Sequence, residues 1–287
     1  MAAPLEREEF IEQAYFFRNL RERIAQNLPA QEILQRIDQE LLASTRMPMA
    51  VQFLAAEMRH SGNLASGFSR LSHYFTPFQA FVVACTENEQ LRFPTETALT
   101  LLEKEAQYKS GQPTPTGLFV FQFESISRHR LGYDIGLPAM AFDPLYPPDW
   151  SQFLNDLRFQ VGLIDFADLL FLRSEAYLRE QRRTNPDYEP PVPALFGERE
   201  GRIAGANRGR DPLYLFAALQ RQLGYPEVPR ARQEDSLANA LAVLKAKSRE
   251  LETRLKMLEG EVRGNFDFDL LQKLGKPDLL KAPDEVP

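Results

Sequence analysis

The chain has 287 residues, 44% of them apolar by type and 21 of them Phe, which supplies one large core or two modest ones and excludes a disordered protein. A formal net charge of −6 disfavours a general electrostatic grip on nucleic acid or anionic lipid, while leaving room for a local basic patch. The single cysteine, Cys85, rules out an intramolecular disulfide, and its neighbours Phe81, Val82, Val83 and Ala84 suit a reduced, buried thiol. The first residues, MAAPLEREEF, lack a basic stretch followed by an apolar one, and no apolar run approaches the roughly 18 residues of a membrane helix. We therefore expect no secretory leader, no membrane span or membrane partner, and a cytoplasmic protein.

Helical periodicity begins at once. Phe10, Ala14, Phe17, Ile24 and Leu28 share a face, with Glu6, Glu8, Glu9 and Glu12 leading and Arg18, Arg21 and Arg23 following, the polarity that a helix dipole favours. Ala30, Ile33, Leu34, Ile37 and Leu41 predict a second helix ending near Ser44–Thr45, and Pro48 opens a third. From Met49 to Arg59 that helix is apolar nearly all round, so we expect it at the centre of a bundle. Leu64, Phe68, Leu71 and Phe75 continue helical spacing. Thr76, Pro77 and Gln79 have the form of a capping box, which predicts a helix to about Asn88. Pro94 and Gly111 bracket another helix, and a loop over 112–117 follows.

The run Leu118–Phe123 is ambiguous, because its aromatic and β-branched content favours a strand. We read it as helix, since nothing nearby offers a strand to pair with and a lone strand is not stable. Asp149 with Gln152 predicts a helix N-terminus before Phe153, Leu154, Leu157 and Val161, and from Asp165 apolar positions continue to a basic helix end at Arg179, Arg182 and Arg183. At Asn185 composition shifts to proline, then to a Gly/Arg segment. Asp211–Pro212 opens and Gly224–Tyr225–Pro226 closes a short helix over 212–223.

Beyond it, leucines recur at sevens: Leu237, Leu244, Leu251 and Leu258 occupy heptad position d, and Leu241, Ser248, Leu255 and Val262 occupy a. Lys247 and Arg254 at g precede Glu252 and Glu259 at e by five residues, pairing opposite charges across a parallel dimer. We expect a parallel homodimer through this stretch; the alternative is a helix that folds back on its own chain. The tail sequence Phe266–Asp267–Phe268–Asp269–Leu270–Leu271 mixes apolar and acidic groups as docking segments do, with Phe266, Phe268, Leu270 and Leu271 as the contact residues, or else folds onto its own core. The expected architecture is all-α: a multi-helix core over 1–184, a Pro/Gly/Arg-rich connector over 185–234 with the short helix, a leucine-heptad coiled coil over 235–263 and a tail over 264–287.

Chemistry is sparse. Glu57 and His60, at i and i+3, have the spacing with which bundle helices present metal ligands, yet such a site needs a second copy that the sequence does not supply, so a Glu57 paired with arginine or solvated is the simpler reading. Ser69, Ser72 and His73 lie in no nucleophile-elbow pattern, and helix capping explains Asp165 and Asp168 more simply than acid/base catalysis. Gly197, Gly201, Gly205 and Gly209 fall every fourth residue among arginines, so Arg202, Arg208 and Arg210 are candidates for binding phosphate or nucleic acid. If that segment is helical, the same spacing makes a smooth face for tight packing. No catalytic residue and no cofactor is assigned. The reading that follows is a non-catalytic interaction or scaffolding protein with an unknown protein partner, with phosphate binding and a metal-dependent bundle enzyme as alternatives.

Overall fold

In a computed structural model, which describes residues 5–230 together with Ser248, thirteen α-helices follow one another and no strand occurs among the described residues. The frame is set by α1 (Arg7–Ala25), which lies along α6 (Thr95–Ser110). Phe10, Ala14, Phe16, Phe17 and Leu20 bury one face of α1 at helical spacing. On the edge of that contact, buried Glu103 of α6 takes Arg18 at 2.7 Å and Arg21 at 2.8 Å, so the two helices are joined by charge as well as packing.

Three shorter helices close one side: α2 (Ala30–Ile37), α3 (Met47–Ser61) and α4 (Ala65–Arg70). The third helix is not the centre of the bundle, as its composition suggested. Only Met47, Ala50, Val51, Leu54 and Ala55 are buried, and Met49 is exposed, because α3 packs on α2 and α4 along one stripe. The second helix also stops at Ile37 instead of reaching Ser44–Thr45, passing into a 3-10 turn over Asp38–Glu40. Glu9 then receives the backbone N–H of Arg46 at 3.0 Å, supplying from α1 a carboxylate for the N-terminus of α3.

The Thr76 capping box is present: its side chain accepts the Gln79 N–H at 3.3 Å and the Gln79 side chain accepts the Thr76 N–H at 3.1 Å, which fixes the start of α5 (Pro77–Glu87). The central helix is α7 (Pro115–His129), with Gly117 through Ile126 buried throughout. Thr114 caps it by accepting the Gly117 N–H at 3.0 Å. The ambiguous run Leu118–Phe123 is thus helical, and its continuous apolarity reflects burial on every side. Gly132 leads into α8 (Tyr133–Ala141), followed by α9 (Pro148–Leu157), α10 (Phe166–Leu172) and α11 (Glu175–Thr184). Asp149 lies in the first turn of α9 without capping it; Pro147 holds the cap position. Asp165 does cap α10, through the Ala167 N–H at 3.1 Å.

The largest departure from the sequence reading concerns 185–230. These residues belong to the same compact unit as the helices before them, so the core does not end at 184. Phe196 is buried with its ring centroid 5.2 Å from Trp150 and 5.7 Å from Phe119. From α13 (Pro212–Leu223), Phe216 packs 5.6 Å from Phe166, whose ring stacks on Phe123 at 4.1 Å. The Tyr225 hydroxyl sits 2.8 Å from Glu124 Oε2 and 3.0 Å from the Phe216 carbonyl, and Lys104 Nζ donates to the Glu227 carbonyl at 2.7 Å. Proline-rich composition marked an irregular path, but the apolar residues spaced along that path complete the aromatic core.

The Gly/Arg segment is the helix α12 (Glu198–Ala206). A Cβ on Gly201 would stand 2.2 Å from Ser174 Oγ and 2.7 Å from the Ala176 methyl, so glycine there lets α12 lie directly on the start of α11. The ends of α13 carry the signals expected from the sequence: Asp211 accepts the Leu213 N–H at 2.9 Å, and Gly224 terminates the helix at φ 67°. The heptad residues Leu237, Leu241, Leu244, Leu251, Leu255, Leu258 and Val262, and the tail residues Phe266, Phe268, Leu270 and Leu271, lie outside the described residues.

Candidate functional site

An open groove lies between α5 and α8. Gly136 of α8 sits against α5 and α7, where a Cβ would fall 2.6 Å from Ile126 Cδ1 and 3.1 Å from Phe81 Cε1. Along the groove, α5 contributes Pro77, Ala80, Phe81, Ala84 and Cys85, a stripe at i, i+3, i+4, i+7 and i+8 spacing. The opposite wall is α8, through Ile135, Pro138, Ala139 and Phe142, and the α4 side adds Phe68 and Phe75. The groove holds about 540 Å³, within the range of roughly 300–1,000 Å³ typical of binding sites.

Among the described residues no charged side chain lines this groove; its polar groups are Ser69, Ser72 and Asn88, with Cys85. Burial pushes the Cys85 thiol up to about 11, so at neutral pH it is an S–H surface and not a thiolate nucleophile. The groove's lip is unusually apolar: Ile135 and Phe142 are each 69% exposed. Pro138 inside α8 removes the N–H that would bond the Asp134 carbonyl, and both exposed residues flank that break. The sequence stripe of α5 reads equally well as core, and nothing in it reveals that α8 leaves the stripe partly uncovered.

A second constellation lies wholly inside. Lys109 Nζ is 2.6 Å from Asp143 Oδ2 and 3.1 Å from Glu105 Oε1, with all three side chains at 1% exposure or less. Gln122 Nε2 donates to Glu105 Oε1 at 2.6 Å, and the Tyr146 hydroxyl donates to Gln122 Oε1 at 2.8 Å. Glu105 Oε2 has no partner among the described residues. Burial, aided by the Asp143 charge, raises the Glu105 carboxyl above its ordinary value despite the opposing Lys109. Burial works to lower the Lys109 ammonium, but Asp143 and Glu105 more than reverse this. Two carboxyls facing one ammonium are neutral overall if Glu105 keeps its proton, which is the state low dielectric favours. With no exposure to solvent, this network ties α6, α7 and the turn after α8 together; it is not a reaction centre open to a substrate.

The residues singled out from the sequence are dispersed. Glu57 forms an ion pair with Arg70 of α4, while His60 points to solvent one turn on. Among the described residues no group of three or more His, Cys, Asp or Glu side chains is placed to hold a metal ion. Arg202 pairs with Glu198 within α12, and Arg208 pairs with Asp168 at 2.7 Å while lying 3.9 Å over the Phe171 ring. Arg210, in the turn before α13, forms no ion pair among the described residues, while Arg202 and Arg208 are each engaged by a carboxylate. Asp168 is bound to Arg208 and does not cap a helix. No protein-family model, curated protein or solved structure matches this chain.

Proposed function

We propose that this is a non-catalytic interaction protein whose helical body offers the α5–α8 groove to an amphipathic helix of a partner protein, and whose heptads over 237–262 join two copies in parallel. The observation that carries the first half is the uncharged groove with Ile135 and Phe142 exposed on its lip. From Pro77 to Asn88 the wall is about 16 Å long at 1.5 Å per residue, room for about three turns of a docked helix with anchors at i, i+3/4 and i+7. A small ligand in the floor would leave the lip wet, whereas a helix laid in the groove covers both large side chains.

Support for the second half is the leucine spacing at d, the mainly aliphatic a positions and the two g-to-e pairs of opposite sign. A dimer presents two grooves, so a partner with two matching helices binds it more tightly than a single groove permits. The test fills the groove: Ala84 is exposed on the α5 stripe, and Ala84→Trp occupies the space without disturbing the core behind it. Full-length wild-type protein should retain partner proteins in affinity capture that Ala84→Trp releases, with the same melting temperature for both. Identical captured sets would refute the groove as the docking site.

A further inference from the structure

The end of α8 hangs on the buried charge network. Phe142 caps α8 and forms the groove's lip, and the next residue is Asp143, whose carboxylate holds the Lys109 ammonium at 2.6 Å. From Asp143 the chain turns through Leu145, whose N–H donates to Asp143 Oδ1 at 3.1 Å, and Tyr146, whose N–H donates to the Asp143 carbonyl at 3.0 Å. Pro138 withholds a backbone bond from the middle of α8, so the residues beyond it depend the more on this anchor. Groove lip and buried lysine are thus joined through one residue.

Glu105 competes with Asp143 for that lysine. Its Oε1 lies 3.1 Å from Lys109 Nζ, and its Oε2 has no partner among the described residues. The groups that face it are Lys109 one turn along α6, Asp143 and Tyr146 from the turn, and the uncharged Gln122 from α7, with Tyr108 beyond Tyr146. Burial keeps the Tyr146 phenol protonated, and against burial the two carboxyl neighbours keep Lys109 an ammonium. With a proton on Oε2, Glu105 is neutral while Lys109 and Asp143 cancel. Without it, two carboxylates share one ammonium and a net negative charge sits where water does not reach. Glu105 and Lys109 are fixed on α6 and Gln122 on α7, whereas Asp143 and Tyr146 lie between helices, so their turn is the part that gives.

We propose that the proton on Glu105 sets the mouth of the α5–α8 groove: while it is bound, Asp143 keeps Lys109 and Phe142 stays in place, and once it leaves, the turn over 142–146 yields and Phe142 moves with it. Yielding admits water to Glu105 and parts it from the Asp143 charge, which is why loss of the proton favours the yielded form. The inference rests on the reading of this groove as a docking site and adds its regulation, a partner helix being accepted or refused according to pH. One proton is exchanged, so the balance between the two forms of the mouth changes by at most about tenfold per pH unit.

Two groups already in the chain report the change without any partner. Trp150, the one Trp of the sequence, stacks on Tyr146 at 5.9 Å, and Cys85 lines the groove while only 4% exposed. Full-length wild type and Glu105→Gln are compared from about pH 5 to about pH 9 by Trp150 emission and by the rate at which Cys85 reacts with an aromatic disulfide reagent. The Cys85 thiol is pushed up to about 11, so its thiolate alone raises the rate about tenfold per pH unit in both proteins. The ratio of the wild-type rate to that of Glu105→Gln should climb with pH, by up to about tenfold per unit, and Trp150 emission should move to the red in wild type alone. Asp143→Asn, which cuts the anchor directly, should react faster than Glu105→Gln even at the acid end. A rate ratio that stays constant, a wild-type emission that follows Glu105→Gln throughout, or an Asp143→Asn protein as slow as Glu105→Gln overturns the coupling. Such a result leaves the docking site standing, whereas equal captured sets with Ala84→Trp remove the docking site and leave the coupling.

Discussion

Replacing Lys109 by Met removes the cation from a site where two carboxyl side chains are no more than 1% exposed, at 2.6 and 3.1 Å from its ammonium. Deleting one member of a buried charge pair typically costs about 3–5 kcal/mol, because the remaining charge can neither be paired nor reach water. For a domain of this size each kcal/mol lowers the melting temperature by about 2–4 °C, so the variant should melt about 6–20 °C below wild type at neutral pH. One control separates this cause from poor packing: the triple change Lys109→Met, Glu105→Gln, Asp143→Asn should recover most of the deficit. Calorimetry at neutral pH on the three proteins is the assay. A Lys109→Met protein within about 1 kcal/mol of wild type, or one that the triple change leaves unrescued, would refute the account of the network.

Glu105→Gln should behave oppositely. A carboxyl whose value is raised by folding contributes stability that is fully present below its unfolded value, about 4.3, and is lost as pH climbs toward the folded one. The variant's melting temperature should therefore gain on wild type as pH rises above the unfolded value, and a difference independent of pH would sink the assignment. A chain ending at Thr184 lacks Phe196, Phe216, Tyr225 and Val228 from the core and should show no cooperative transition, while one ending at Arg230 should melt as a unit. A sharp transition in the shorter chain would restore the boundary at 184. Leu244→Asp with Leu251→Asp should halve the mass by light scattering while leaving the melt of the helical body unchanged; a wild-type monomer at micromolar concentration would remove the dimer from the proposed function.

Where the chain's local chemistry alone decides a boundary, sequence reading reached it. Asp211–Pro212 and Gly224 delimit α13 because a capping carboxylate and a left-handed glycine act within one turn, and Thr76 with Gln79 likewise starts α5. Reading failed where the answer depended on which neighbour arrives. Glu105 and Lys109, four apart on α6, look like any solvent-facing ion pair, and only the arrival of Asp143 and Gln122 reveals a buried charge network. Phe196 and Tyr225 stand in proline-rich stretches that carry no periodicity, so their place in the core was invisible. The α5 stripe gave no sign of being a groove wall, because coverage is a property of α8 and not of α5.

Gly136 has a consequence for how the groove changes in the course of descent. It does not line the groove, yet the absence of its side chain sets how near α8 rests to Phe81 and Ile126. An alanine there would have to displace one of those groups or lift α8, shifting Ile135, Pro138 and Phe142 together with the helix that carries them. One substitution behind the wall thus regauges the whole slot while every residue lining it stays the same. Descendants of this chain can retune their fit from a position that a comparison of lining residues would pass over.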